Sequence, residues 1–270
     1  MKNHTAAQPI GIFDSGIGGL TVANAILKEL PNESIIYFGD TAHLPYGDKS
    51  ADAIRYYCLK IVKFLLEKNC KMIVIACNSA SSAAYSVLLE FFEGEALFVN
   101  VVDPLVAEVA RHQFKEVGVI ATKATIGSGV YKTKLEAAQP GIVVAQLATP
   151  LLAPMIEEGF VENNISKAVL DNYLGHPQLA HIDALLLACT HYPLIRPAIE
   201  QFYQNKTMIF DSTDVVTAEV KQLLGQHQLL NEGSKPQHKF YVSDYTDSFE
   251  QTTKVFFGSS IHLEYEPIWQ

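Results

Sequence analysis

The 270 residues carry 49 % hydrophobic and 18 % charged side chains, enough apolar material for one large or two modest globular domains. No apolar run reaches the roughly 18–20 residues needed to span a bilayer, and the opening MKNHTAAQPIG lacks the apolar core of a secretory signal, so a cytoplasmic protein is expected. A formal charge of −9, with the 20 Lys and Arg scattered singly, argues against a nucleic-acid-binding surface.

Along the chain, short runs rich in Ile, Val and Leu alternate with amphipathic segments of helical length, the pattern of βα units around a parallel sheet. Strands are predicted at 9–13, 34–39, 72–76, 97–101, 117–121, 143–147, 184–188 and 208–210. Helices fit between most of them, for example at 18–30, 49–68, 79–92, 104–111, 128–138 and 166–174. A final helix near 248–257 follows the strand HKFYVS. Cys58 falls in RYYCLKIVKFLLEK, where apolar residues recur every three or four positions, and reads as helix packing. Cys70, at the turn into the strand of KNCKMIVIA, reads as inert. The four cysteines show no CxxC spacing, which suits a reducing compartment.

The chain also repeats itself. IGIFDSGIGG resembles VGVIATKATIGSG, with Gly11 facing Gly118; MIVIACNSAS resembles LLLACTHYP, with Cys77 facing Cys189. Two related α/β lobes are therefore expected, each a mainly parallel sheet flanked by helices. Residues 1–98 with 211–270 would form one and 99–210 the other. Open α/β sheets collect functional groups at the carboxyl ends of their strands, and Asp14, Ser15, Cys77, Asn78, Thr122, Cys189, Thr190 and His191 fall there. If the lobes face one another about a pseudo-twofold axis, the two thiols share one cleft.

Four uses of such thiols compete. A disulfide conflicts with a reducing compartment and would close the site. Metal binding needs three or four converging ligands, and CxH at 189–191 supplies two. A single nucleophilic thiolate with His191 as base leaves Cys77 unexplained. Inverting a carbon stereocentre by proton transfer uses both: one thiolate removes a proton from one face while a thiol returns one to the other. Each cysteine lies just before a predicted helix start, where backbone N–H groups favour the thiolate.

IGIFDSGIGGLTV, DTAHLPYGDKS, VIACNSASSAA, VGVIATKATI, PMIEEG and LLACTHYPLI together resemble the glutamate racemases of the aspartate/glutamate racemase superfamily, over about residues 10–258. DSGxGGL and LPYG favour this group over aspartate racemases, hydantoin racemases and arylmalonate decarboxylases, which share the scaffold. The resemblance implies interconversion of L- and D-glutamate for cell-wall peptidoglycan without pyridoxal phosphate or metal, in a homodimer. It implies Cys77 and Cys189 as the acid/base pair, the first acting on D-glutamate and the second on L-glutamate. Asp14 resembles the carboxylate near the first cysteine, and His191 with Glu157 the polar pair supporting the second. Ser15, Tyr46, Gly47, Asn78, Ser79, Thr122 and Thr190 correspond to substrate contacts.

Other readings stay open beside these. GIGG suits a tight βα turn, and it lacks the third glycine and acidic partner of a dinucleotide site. Asp14 also suits the cap of the helix that follows. Tyr46 suits loop packing, and Glu158 is the neighbouring register for Glu157. Ser79 stands where the family commonly has threonine, and Thr149 where many members carry a further cysteine. Within enzymes the alternative is a racemase or decarboxylase of the same superfamily acting on another small acid such as aspartate. Outside them it is a non-catalytic protein that holds a partner such as DNA gyrase.

Overall fold

The computed structural model describes residues 2–233 and 235–270. Ten strands form two sheets: β1 (Ile10–Asp14), β2 (Ile35–Gly39), β3 (Met72–Ile75), β4 (Leu97–Asn100), β5 (Glu116–Ala121), β6 (Val143–Ala148), β7 (Ala184–Ala188), β8 (Met208–Asp211), β9 (His238–Val242) and β10 (Glu264–Tyr265). The larger sheet runs β10-β9-β2-β1-β3-β4 and the smaller β6-β5-β7-β8, and every pairing is parallel. Strands buried on both faces require the continuous apolar runs seen in IIYFG, MIVI and ALLLA, all of whose residues are buried.

The order β2-β1-β3-β4 in one sheet matches β6-β5-β7-β8 in the other, so the internal repeat is a repeat of topology. Gly11 and Gly118 occupy the same slot of their central strands. A Cβ on Gly11 would lie 3.0 Å from the Cys70 sulfur, and one on Gly118 2.8 Å from Ile182 Cδ1. Cys58 and Cys70 are buried in the core of the first sheet, which keeps both thiols protonated by desolvation.

The helices are α1 (Leu20–Glu29), α2 (Ala51–Glu67), α3 (Asn78–Phe91), α4 (Val102–Ala110), α5 (Lys123–Ser128), α6 (Val130–Ala138), α7 (Leu152–Glu157), α8 (Asn164–Leu174), α9 (Arg196–Phe202), α10 (Ser212–Gln226) and α11 (Asp247–Phe257). The helix expected at 128–138 starts at Val130, because Gly129 adopts the left-handed conformation (φ +67°) and ends the short α5 before it. A boundary at 98/99 would cut β4. That strand pairs with β3 from Leu97 to Asn100, so the chain leaves the first sheet only after Asn100.

Helix α10 packs against α1 of one half and α4 after the crossing. Its start is fixed by Asp211, whose carboxylate accepts from the Thr213 N–H at 2.9 Å. Among the described residues no helix is long and apolar enough to cross a membrane.

Candidate active site

The DSGIGG segment leaves β1 at Asp14, which is fully buried. Its Oδ2 accepts from the backbone N–H of Gly19 at 2.9 Å and of Gly16 at 3.3 Å, so Asp14 does anchor the turn into α1. Its buried Oδ1 has no hydrogen-bond partner among the described residues. Burial raises the Asp14 carboxyl, against the opposing pull of His191 and three backbone N–H groups. Gly18 and Gly19 after it are demanded by close approach. A Cβ on Gly18 would sit 2.4 Å from His191 Cε1 and 2.6 Å from Thr190 Oγ1, side chains that follow the other sheet.

Cys77 follows β3 and caps α3: its sulfur accepts from the Ala80 N–H at 3.4 Å and lies 3.7 Å from Ser15 Oγ. The helix start favours the thiolate as expected, but two stronger effects oppose it. Burial, and then the Asp14 charge, push this thiol up to about 12. Cys189 lies one residue beyond β7. Here the expected helix start is replaced by a turn, the Cys189 carbonyl accepting from Tyr192 N–H at 3.1 Å, and a 3₁₀ segment at Tyr192–Ile195. With no α-helix N-terminus at its sulfur, Cys189 has an imidazole instead. His191 Nδ1 is 3.6 Å from the Cys189 sulfur and 3.3 Å from Thr190 Oγ1, while its Nε2 is 2.8 Å from Glu157 Oε1. Glu157, not Glu158, is thus the residue that meets the histidine. Burial alone would push His191 down, yet Cys189 and Glu157 hold it up at about 10. Phe256 of α11 closes edge-on over the ring, centroids 5.1 Å apart.

These two corners line one cavity of about 260 Å³. Ser15, Tyr46, Gly47, Cys77, Asn78, Ser79, Thr122, Glu157, Cys189, Thr190 and His191 all reach it, and the buried Asp14 directly precedes the Ser15–Gly16 stretch of its lining. Among the described residues no arginine or lysine lines it. Donors come instead from hydroxyls and an amide: Ser79 Oγ is 2.9 Å from Thr122 Oγ1, a bond between the halves, and the buried Asn78 Nδ2 has no partner among the described residues. Larger grooves between α1 and α10 and between α8 and α9 hold no thiol or imidazole. Among the described residues no cluster of three His, Cys, Asp or Glu side chains is arranged to hold a metal ion.

Tyr46 lines the cavity, and its O–H donates to Asp40 at 2.6 Å, so its hydroxyl also packs the loop. Asp40, also fully buried, accepts in addition from Ser243 Oγ at 2.7 Å, Trp269 Nε1 at 2.9 Å and His43 Nδ1 at 3.0 Å. The loop that carries Tyr46 and Gly47 is held from behind by this carboxylate, and Gly47 fits flush on Thr122, where a Cβ would approach within 2.8 Å. Asp40, Ser243, Trp269 and Phe256 were not singled out by sequence; Asp40 in DTAH was the one position whose motif could have drawn attention.

Two repeated α/β units presenting one thiol each to a shared cavity define a protein of the racemase type, and the chain belongs to the Asp/Glu/Hydantoin racemase family, which it matches over residues 20–220. It is 39 % identical over 266 residues to the glutamate racemase of Chlorobaculum parvum, covering 97 % of each chain. It is also similar to the crystal structure of glutamate racemase from Francisella tularensis in complex with D-glutamate, with a TM-score of 0.91, 37 % identity and coverage of 98 % of this chain and 99 % of that one. The glutamate racemase isoform RacE1 of Bacillus anthracis gives a TM-score of 0.90 at 31 % identity, covering 96 % and 98 %.

Proposed function

We propose that this chain interconverts L- and D-glutamate by two-base proton transfer between Cys77 and Cys189, with no cofactor. One observation carries the reading: thiols from equivalent strand ends of two repeated units line a single cavity. Glutamate would sit between the sulfurs with its α-carbon in line with both. Cys77 acts on D-glutamate and Cys189 on L-glutamate, and the thiol opposite returns a proton to the other face.

The surroundings support distinct tuning of the two bases. The substrate ammonium approaches Asp14, whose Oδ1 is free to accept, and neutralises a charge that otherwise holds Cys77 up. Substrate binding itself thereby brings this thiol toward ionisation. His191, held protonated with the help of Cys189 and Glu157, places a charged N–H beside the Cys189 sulfur. Ser15, Asn78, Ser79, Thr122 and Thr190, with the backbone at Tyr46 and Gly47, hold the carboxylates. Neutral donors in a buried site leave room for stabilisation that grows as the carbanion forms.

The same reading carries D-glutamate supply for peptidoglycan as the role, with action in the cytoplasm as a homodimer. The two sheets are the two lobes of the enzyme, joined where the chain crosses after Asn100 and again into α10. Incubation with L-glutamate, L-aspartate or a hydantoin in deuterated water, followed by NMR at the α-proton, tests the substrate. Exchange and racemisation of glutamate alone are expected. Exchange of aspartate without glutamate overturns the assignment in favour of a related racemase, and no exchange with any of them favours a non-catalytic role.

A further inference from the structure

Asn78 opens α3 beside Cys77, is 3 % exposed, and lines the cavity. Its amide has a donor end and an acceptor end, and for a site that takes carboxylates everything depends on which end faces inward. The Oδ1 end is claimed: the Tyr131 hydroxyl donates to it at 2.6 Å. The Nδ2 end is buried and has no partner among the described residues. Tyr131 belongs to α6, in the other half of the molecule, one residue beyond the first of that helix. Its ring is 1 % exposed among Val102, Leu105, Ala121 and Ala188, so the phenol is held in one position. Burial raises its pKa above the ordinary phenol range, and it therefore remains a donor at any working pH.

We propose that Tyr131 is a positioning residue, its hydroxyl fixing the Asn78 amide so that Nδ2 is the end offered to a carboxylate of the substrate. The inference rests on the proposed reading that glutamate occupies this cavity. It adds that the polarity of the first half's donor is set by the second half. Without the phenol O–H, Asn78 can turn over and present Oδ1, and a carboxylate then meets an acceptor instead of a donor. A buried polar group that lacks its partner in the free enzyme and gains one in the complex contributes to affinity, whereas a mere staple between helices would leave no donor vacant.

The test is a cycle of steady-state kinetics and D-glutamate binding on purified full-length protein. Tyr131→Phe keeps the ring and is expected to raise KM about tenfold, as loss of one hydrogen bond to a charged group does, while kcat changes by less than about threefold. In an Asn78→Ala background the same substitution is expected to change KM hardly at all, because the residue through which it acts is gone. Asn78→Asp retains an oxygen for Tyr131 but replaces the donor, and KM is expected to rise at least as much. Thermal melting of each variant separates loss of folding from loss of binding. An unchanged KM in Tyr131→Phe or in Asn78→Asp overturns the proposal, as does an equal effect of Tyr131→Phe with and without Asn78. Failure of the wild-type chain to bind or exchange glutamate overturns instead the functional reading beneath it.

Discussion

The two cysteine corners share their topology and differ in almost everything else. Cys77 follows β3 and Cys189 follows β7, equivalent strands of sheets with the same core order. Beyond that point one chain enters a fourteen-residue α-helix and the other a four-residue 3₁₀ turn. Cys77 is flanked by a buried carboxylate and two weak hydrogen bonds, Cys189 by a histidine locked to a glutamate. Duplication supplies two similar thiols at equivalent strand ends, and their surroundings have diverged, with a like-charged carboxylate beside Cys77 and an imidazole beside Cys189. Enantiomers have equal free energy, so any asymmetry between the corners leaves kcat/KM equal in the two directions. It shows in kcat and KM taken separately.

The comparison breaks most completely when either thiol is removed. Cys77→Ser and Cys189→Ser are each expected to reduce racemisation in both directions by roughly 10³-fold or more, the scale of a lost acid/base group, as followed by circular dichroism of glutamate. Near-normal turnover in either variant would leave only one base in use. Next in size is the clamp between the corners. Gly18→Ala drives a methyl into His191 and Thr190, and about a hundredfold loss of activity is expected, with destabilisation of about 1–3 kcal/mol by chemical denaturation. Gly127→Ala, a helical position with open space around it, serves as the control and is expected to be neutral or stabilising by about 0.5–1 kcal/mol.

A smaller change sharpens the difference in electrostatics. Glu157→Gln removes one of the two groups that hold His191 up, so the imidazolium is lost at lower pH. Activity is expected to fall about tenfold, with the alkaline limb of the pH–rate profile moving down while the acid limb stays. The same groups tie stability to pH. His191 goes from 6.5 when unfolded to about 10 when folded, so its contribution is fully present below pH 6.5 and is lost as pH rises through 10. Cys77, at 9.0 unfolded and about 12 folded, adds a loss above pH 9. The melting temperature should therefore decline from pH 7 to pH 10, and less steeply in Glu157→Gln. A decline of equal slope in both proteins would remove His191 as its source.

The least effect is expected behind the Tyr46 loop. Trp269→Phe withdraws one of four donors from Asp40, and a loss of about 1–3 kcal/mol of stability is expected, with a rise in KM of less than about fivefold.

Much of this was legible because parallel strands and their capping turns are local. The apolar runs at 10–14, 72–75 and 184–188 name themselves, and the glycine and cysteine pairs fix the repeat. Helix α10 was not among the segments picked out: STDVVTAEVKQLLGQ has a broken apolar face because it packs between two halves rather than over one sheet. The helix expected after Cys189 failed for a related reason, since Pro193 and the contact with Gly18 favour a tight turn. What the sequence hides altogether are the donors that reach the site from far away. Tyr131 lies 53 residues from Asn78, and Trp269 lies 229 residues from Asp40. Neither has a local pattern to announce it.

The Asp40 cluster also sets a schedule. A carboxylate stripped of water is stable only with its donors in place, and here they come from positions 43, 46, 243 and 269. On a ribosome the first two emerge with Asp40 itself, and the other two only after the smaller sheet and β9 have been made. The wall of the cavity that bears Tyr46 and Gly47 therefore matures last, and a chain still being synthesised holds both cysteines long before it has a finished place for a substrate to rest.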